Sequence, residues 1–293
     1  MLQVIDRKGW VNQGVSVVVL REDLKHPYVS GNKGLKLKYH LLAFKASGKK
    51  TVVSFGGAFS NHLVALAAAA AENGFQSIGI VRGEEVSNPY LAFMRDQGMR
   101  LHFVSREDYR LKDDASFRKA LLSELQKKEL IKIESEAFFI PEGGGGEYGM
   151  KGASEVISNI PDDTNFIACA CGTGTTIAGI ASAMKSHQRA IGISALKAEG
   201  FFEKVLTGYG IPEIRAAFHY DYHFGGFAKY DDTLVKFCRD FTAETNVPVE
   251  PVYTGKLFFG INDLIEKGYF PGGSKIVVLH SGGIYPFTRA GDV

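Results

Sequence analysis

Two short motifs contain the residues of this chain whose types and spacing could do chemistry. Gly31-Asn32-Lys33 follows a β-like run, and Ser60-Asn61-His62 opens an alanine-rich segment just after Gly56-Gly57. A nucleophilic lysine must be partly unprotonated, which requires a desolvated environment. Serine and asparagine cap helix N-termini, where backbone N–H groups attract anions. Together the motifs suggest a lysine that carries a covalent cofactor and a helix end that receives an anion. Each motif alone could equally be a surface-loop lysine or an ordinary capped helix.

A third motif has the layout of a phosphate site. Gly172-Thr173-Gly174-Thr175-Thr176 follows the apolar run Phe166–Cys171 and precedes a helix-like segment. A strand–turn–helix with glycines and hydroxyls at the turn places backbone N–H groups and the helix dipole around an anion. The motif lacks the third glycine of Gly-x-Gly-x-x-Gly and the Gly-Lys-Ser/Thr ending of a P-loop.

The elements that must position these motifs alternate between β-like and helical patterns, which predicts an α/β protein with parallel sheets covered by helices. The predicted strands are Val15–Leu20, Thr51–Ser54, Ser77–Val81, Arg100–Val104, Phe138–Pro141, Phe166–Ala170, Ala190–Ser194 and Lys275–His280. The predicted helices are Lys36–Ser47, Asn61–Asn73, Tyr90–Gln97, Ala115–Glu129, Lys151–Ile157, Thr176–Ser186, Asp232–Glu244 and Gly255–Lys267. Four consecutive glycines, Gly143 to Gly146, are expected not to pack and to mark a hinge or a backbone-lined loop.

Composition limits the function classes. The 293 residues allow one large domain or two coupled domains, and a net charge of +2 without a basic block argues against nucleic-acid binding. The three cysteines, Cys169, Cys171 and Cys238, are expected to be reduced core residues. His219 and His223 are a thin basis for a metal site, so no metal is expected. The chain has no leader-like start and no apolar run of about 18 residues, which predicts a soluble, cytoplasmic protein without membrane contacts.

In order and spacing, a series of motifs resembles the fold-type II pyridoxal-phosphate enzymes, in the branch that contains D-cysteine desulfhydrase and 1-aminocyclopropane-1-carboxylate deaminase. The motifs are Arg21-Glu22-Asp23, Gly31-Asn32-Lys33, Lys36-Leu37, Ser54-Phe55-Gly56-Gly57 with Ser60-Asn61-His62, Thr173-Gly174-Thr175, Pro251-Val252-Tyr253-Thr254-Gly255-Lys256 and His280-Ser281-Gly282-Gly283. The resemblance implies two three-layer α/β domains with mainly parallel sheets, as in tryptophan synthase β-like proteins. Residues 1–36 and 148–293 would form a large cofactor-binding domain, and residues 37–147 a small α/β domain.

The resemblance also implies a role for each matching residue. Lys33 would bind pyridoxal 5'-phosphate covalently and later move the Cα proton of the substrate. Asn61 would hydrogen-bond the ring hydroxyl of the cofactor, and Thr254 would face its pyridine nitrogen. The cofactor phosphate would be held by Gly172, Thr173, Gly174, Thr175 and Thr176, with a charge from Lys36. The substrate carboxylate would be held by Ser60, Asn61 and His62, with the Ser60 hydroxyl near the reacting centre. Tyr253 would line the pocket, bind the substrate and complete the catalytic set with Lys33 and Ser60.

Thr254 and Ser281 select between the two activities of the branch. The deaminases resemble this chain but have Glu at the position of Thr254, because ring opening needs a strong electron sink, and Leu at the position of Ser281. The threonine and serine therefore favour α,β-elimination from D-cysteine, which gives pyruvate, ammonia and hydrogen sulfide. The family's tyrosine-bearing pocket loop is not evident, and Phe224–Tyr230 occupies its expected place.

Other functions remain open on the sequence alone. The chain could be a 1-aminocyclopropane-1-carboxylate deaminase, a D-serine-type dehydratase, a nucleotide-binding α/β enzyme, or a protein that binds the cofactor or an amino acid without turnover. Fold-level analogy also implies a homodimer acting on a small amino acid.

Overall fold

The computed structural model describes residues 1–287, which divide into two compact units. Unit 1 contains Met1–Leu35 and the chain from Met150 onward, and unit 2 is the continuous segment Lys36–Gly149. Two helices cross the sequence boundaries between the units, α2 (Asn32–Ala46) and α7 (Gly146–Ser154).

Unit 1 is built on a six-stranded sheet in the order β1-β2-β10-β7-β8-β9. Its strands are β1 (Leu2–Ile5), β2 (Ser16–Arg21), β7 (Phe166–Cys171), β8 (Arg189–Ser194), β9 (Ala216–His219) and β10 (Lys275–His280). Its helices are α1 (Lys8–Asn12), α8 (Thr175–Ala183), α9 (Phe201–Gly208), α10 (Asp232–Thr245) and α11 (Thr254–Glu266). Only β1 runs antiparallel to its neighbour, and all other pairs are parallel.

Alternate residues of the central strand β7 face two separate cores. Ala168 and Ala170 pack with α1, α10 and α11, whereas Ile167 and Cys169 pack with α8 and α9. Successive side chains of a strand point to opposite faces, so helices cover both faces of the sheet. Unit 1 therefore has the predicted three layers.

Unit 2 has a four-stranded parallel sheet in the order β5-β4-β3-β6. Its strands are β3 (Thr51–Gly56), β4 (Gln76–Arg82), β5 (Arg100–Val104) and β6 (Ala137–Ile140), and its helices are α3 (Asn61–Asn73), α4 (Pro89–Asp96), α5 (Arg106–Tyr109) and α6 (Ala115–Lys127). Val53, Phe55 and Ile78 pack with α6 on one face. On the other face an added Cβ on Gly79 would lie 3.0 Å from Met99 Sδ, 3.1 Å from Leu101 Cδ2 and 3.4 Å from Leu63 Cδ1 of α3, so this glycine leaves room for their side chains.

The mixed α/β architecture with mostly parallel strands is as predicted, but several elements were not. The edge strands β1 and β9 have only four residues each, and helices α1 and α9 are also short. Such elements carry too few repeats of a hydrophobic pattern to be recognised. Helix α2 begins at Asn32 and not at Lys36, so Lys33 lies in a helical turn.

The prediction that the four glycines Gly143 to Gly146 do not pack is wrong. Gly144 and Gly145 are buried, and a Cβ on Gly144 would lie 3.3 Å from Lys36 Cβ. The Gly145 carbonyl accepts a hydrogen bond from His40 Nε2 at 2.9 Å. Lys36 packs on Gly144, and Tyr148 packs edge-on against His40 with ring centroids 5.6 Å apart. Residues 36, 148 and 149 belong to unit 2.

Within residues 1–287, no helix combines the length and the apolar character needed to cross a membrane. In the same part of the chain all three cysteines are buried and free, as expected.

Candidate active site

Lys33 occupies the first turn of α2, in unit 1. Its Nζ donates to Asn32 Oδ1 at 2.6 Å, and Asn32 Nδ2 donates to Thr176 Oγ1 at 2.8 Å. Burial lowers the pKa of Lys33 from 10.5 to about 8, and the nearby Glu250 carboxyl partly offsets this shift. Asn32 thus links the lysine to the start of α8, a function that its position beside Lys33 did not reveal.

The turn before Lys33 packs backbone to backbone against a turn from the end of the chain. Gly31 has φ +60°, and a Cβ there would lie 1.9 Å from the Ser281 carbonyl oxygen. Strands β2 and β10, which precede the two turns, pair in register at Arg21 and His280. Asp23 joins these strand ends, since its carboxylate lies 2.7 Å from Arg21 Nη2 and 3.3 Å from His280 Nδ1.

Replacing Gly31 by alanine is expected to destabilise the protein by about 3 kcal/mol or more, because backbone atoms must move to admit the Cβ. Gly48 is the matched control, since it also has positive φ (+68°) but has no heavy atom within 4 Å of an added Cβ. Gly48→Ala should cost only the strain of the left-handed conformation, about 1 kcal/mol. Urea unfolding of both variants measures the difference, and equal losses would contradict the packing argument.

The Gly172–Thr176 segment joins β7 to α8, also in unit 1. Gly174 caps the helix at φ +79°, and Thr175 begins it. The hydroxyls of Thr173 and Thr175 are 3.2 Å apart, and Thr175 and Thr176 are buried. Backbone N–H groups at a helix start, two glycines and hydroxyl donors match the chemistry of a phosphate monoester. This segment therefore fits the phosphate of the predicted cofactor.

Tyr253 and Thr254 lie at the start of α11, where a buried carboxyl organises the backbone. Glu250 accepts hydrogen bonds from the N–H groups of Val252, Tyr253 and Thr254 at 2.6, 2.9 and 2.8 Å. Burial nevertheless raises the pKa of Glu250 to about 7. The Thr254 hydroxyl accepts from Glu250 N at 2.9 Å and lies 3.2 Å from Glu250 Oε1.

The loop beside Tyr253 contributes a phenylalanine ring and not the tyrosine of the family's pocket loop. A Cβ on Gly172 would lie 3.1 Å from the Tyr253 ring, so the ring covers the start of the phosphate segment. Phe227 is the loop residue beside it, with ring centroids 6.0 Å apart. Tyr230 is exposed.

The remaining predicted residues lie in unit 2. As predicted, Ser60 caps α3, by accepting from Leu63 N at 3.3 Å, and the helix ends at Asn73, where Gly74 follows in the left-handed conformation. A Cβ on Gly56 would lie 2.5 Å from Ser60 Oγ, so the turn requires a glycine. Asn61 is half-buried at the helix start, and Lys36 is buried.

His62 is turned toward the interior of unit 2. Its Nε2 lies 2.8 Å from Ser54 Oγ, and Ser54 donates its only hydroxyl proton to the Ile140 carbonyl at 2.8 Å. His62 must therefore donate from Nε2 to Ser54. The predicted contact of this histidine with a substrate carboxylate is not supported at Nε2, because that proton is already used.

Three polar residues at these sites were missed from sequence: Asn32, Glu250 and Lys256. Glu250 stands four residues before Thr254, a spacing that suits an acidic cap, whereas nothing local marks Lys256. Over residues 1–287, no group of three or more His, Cys, Asp or Glu side chains is arranged to hold a metal ion.

Comparison with known proteins gives matches over nearly the whole chain. A family model described as pyridoxal-phosphate dependent enzyme matches residues 10–282. A Pyrococcus horikoshii protein provisionally named 1-aminocyclopropane-1-carboxylate deaminase is 30% identical over 95% of this chain and 88% of its own length. The Arabidopsis thaliana bifunctional D-cysteine desulfhydrase/1-aminocyclopropane-1-carboxylate deaminase is 28% identical over 92% of this chain and 73% of its own length.

A solved structure described as an ACC deaminase homologue also matches. It superposes with a TM-score of 0.83 at 26% identity and covers 100% of this chain and 91% of that one. The family model and the solved structure therefore both support the α/β class with mainly parallel sheets.

Proposed function

Because this chain belongs to the family of pyridoxal-phosphate dependent enzymes, we propose that it catalyses α,β-elimination on a small amino acid, with D-cysteine as the first candidate. Membership of the family confirms the predicted cofactor, pyridoxal 5'-phosphate, and the relatives confirm the class of lyase and deaminase enzymes. The predicted fold type is confirmed by the same matches.

The desolvated amine of Lys33, tied through Asn32 to the start of α8, is the observation that carries a covalent role for this lysine. A pKa of about 8 leaves part of the amine unprotonated near neutral pH, as a nucleophile and proton carrier requires. The Gly172–Thr176 segment would hold the cofactor phosphate, with Lys36 adding charge. Asn61 would bind the ring hydroxyl and Thr254 would face the ring nitrogen.

Lys33 would hold pyridoxal 5'-phosphate, which would supply an electron sink for the pair left on the substrate Cα. Once the substrate amine replaces Lys33 on the cofactor, the freed Lys33 amine would take the Cα proton, and Ser60 and Asn61 would hold the carboxylate at the start of α3. The Cβ–S bond then breaks as the Cα–Cβ double bond forms, and the sulfur leaves as hydrogen sulfide after protonation. Water hydrolyses the resulting aminoacrylate to pyruvate and ammonia, which balances D-cysteine plus one water.

Thr254 supports this choice among the reactions of the family. Its side chain is a hydroxyl, and the nearest carboxyl, Glu250, is committed to three backbone N–H groups of the helix start. A thiolate is a good leaving group, so elimination from cysteine needs less charge storage in the ring than the opening of a cyclopropane. Ser281 supports the same choice through the resemblance to the desulfhydrase branch.

A deaminase of 1-aminocyclopropane-1-carboxylate is the second candidate, because the relatives carry that name. A D-serine-type dehydratase would use the same residues with hydroxide in place of thiolate. A protein that binds the cofactor without turnover is the remote alternative.

Product analysis with the cofactor-loaded protein separates these functions. D-Cysteine should yield sulfide and pyruvate in equal amounts, whereas 1-aminocyclopropane-1-carboxylate would yield 2-oxobutyrate and ammonia. L-Cysteine and D-serine complete the series and test chirality and leaving group. Turnover of the cyclopropane without sulfide from D-cysteine would overturn the first candidate, and no turnover of any substrate would favour the binding protein.

Assembly as a homodimer in the cytoplasm belongs to the same proposal and rests on fold-level analogy. Light scattering should report a mass twice that of one chain.

A further inference from the structure

Lys256 is a charged side chain that lies entirely inside unit 1. It sits in the first turn of α11 and has 0% of its side chain exposed. Its Nζ donates to the backbone carbonyls of His223 and Gly226, each at 2.8 Å, and reaches the Ala195 carbonyl at 3.4 Å. An ammonium group has three protons, so these three carbonyls satisfy it without a carboxylate.

Two of the three carbonyls belong to His223–Tyr230, which we call the Phe227 loop. Its backbone is unusual, because Phe224 and Ala228 have positive φ (51° and 53°), as do Gly225 and Gly226 (92° and 122°). Residues other than glycine avoid this region, so such a conformation persists only where surrounding contacts impose it. The loop lies between β9 and α10 and belongs to no strand or helix.

Two hydrogen bonds within the loop use the same carbonyls, and a third joins Gly225 N to His223 Nδ1 at 2.8 Å. The His223 carbonyl also accepts from Gly226 N at 3.0 Å, and the Gly226 carbonyl from Lys229 N at 3.2 Å. The buried ammonium therefore joins both turns of the loop to α11. Charge-assisted hydrogen bonds of this kind are stronger than neutral ones, and they are costly to remove when buried.

The loop carries Phe227 to the ring of Tyr253, which lies over Gly172. We propose that Lys256 is a positioning residue that fixes the Phe227 loop and thereby sets how closely Phe227 and Tyr253 confine the substrate side chain. The role of the loop in selectivity rests on the proposed function, whereas the anchoring of the loop rests on the contacts of Lys256 alone.

Hydrogen exchange on the cofactor-loaded protein without substrate tests the anchoring. Lys256→Met keeps the length of the side chain but removes the ammonium, and should raise exchange of the amides in residues 223–230 by about 10- to 100-fold. Lys267→Met is the control at the C-cap of the same helix, because Lys267 is exposed and its Nζ pairs with Asp263 at 2.6 Å. Unchanged loop exchange in Lys256→Met, or an equal rise in the control, would overturn the proposal.

Kinetics with D-cysteine test the effect on the substrate. Lys256→Met and Phe227→Ala should each raise KM about tenfold with a smaller change in kcat, and the double variant should be no worse than either single variant. Additive losses would show that Lys256 does not act through Phe227. If D-cysteine is not a substrate, the proposed function fails while the exchange experiment still decides the anchoring.

Gly226→Ala gives a second route should Lys256→Met not fold. It strains the loop at φ 122° while leaving Lys256 in place, and the nearest heavy atom to the added Cβ is Lys197 Cβ at 3.8 Å. Faster loop exchange and a raised KM are again expected, and wild-type values for both would overturn the proposal.

Discussion

Replacing Lys33 by alanine is expected to lower kcat by at least about 10³-fold and to abolish covalent attachment of the cofactor. The variant loses both the amine that binds the cofactor and the base that moves the Cα proton. The Lys33 Nζ donates to Asn32 Oδ1 at 2.6 Å, and burial has already lowered the pKa of this amine to about 8. The measurement is an absorption spectrum with added pyridoxal 5'-phosphate, together with single-turnover product formation.

Lys38→Ala provides the control for Lys33→Ala. Lys38 lies on the same helix but is exposed, so its removal should leave the spectrum and the rate near those of the wild type. Reduction with borohydride followed by peptide mapping then identifies the attached lysine directly. Attachment to a residue other than Lys33 would contradict the assignment.

Ser60→Ala is expected to lower kcat/KM by about 10- to 100-fold, the effect of losing a hydrogen bond to a charged group. Ser60 also caps α3 through Leu63 N, so part of its contribution is to stability, about 1 kcal/mol. Steady-state kinetics and urea unfolding of the same preparation separate these two contributions.

Ser105→Ala is the control for Ser60→Ala, because Ser105 is also a helix N-cap but lies outside the proposed site. Ser105 caps α5 in the same unit by accepting from Asp108 N at 2.9 Å. Loss of the Ser105 hydroxyl should lower the free energy of unfolding by the amount expected for a helix cap and leave kcat/KM unchanged. A catalytic loss of the same size in both variants would mean that Ser60 acts only as a cap.

Local chemistry was enough to predict some elements from the sequence. Helix α3 was predicted as Asn61–Asn73, and the structure has the same bounds, because a serine cap precedes it and Gly74 ends it. Asp114 and Asp231 likewise cap α6 and α10, by accepting from Phe117 N and Leu234 N. Strands β5 and β10 also have the predicted bounds.

Interactions between distant segments set the limit of that reasoning. The predicted helix began at Lys36 and left Lys33 outside it, whereas α2 begins at Asn32, directly after the Gly31 turn that packs against Ser281. The partners of Lys256 are carbonyls 30, 33 and 61 residues away, which no local pattern encodes. The four-glycine run was misread because the ring of His40 and the Lys36 side chain supply the contacts that glycine lacks.

The position of β10 in the sheet has a consequence for how the chain is made. Among residues 1–287, β10 is the last strand in sequence but lies between β2 and β7, and its following turn contacts Gly31. On the ribosome, segment 36–149 can complete its own sheet early, while β2 and β7 expose unpaired edges until residue 280 emerges. A chain truncated before β10 therefore retains Lys33 but lacks the strand that joins both halves of its sheet, and it presents two edges to other nascent chains.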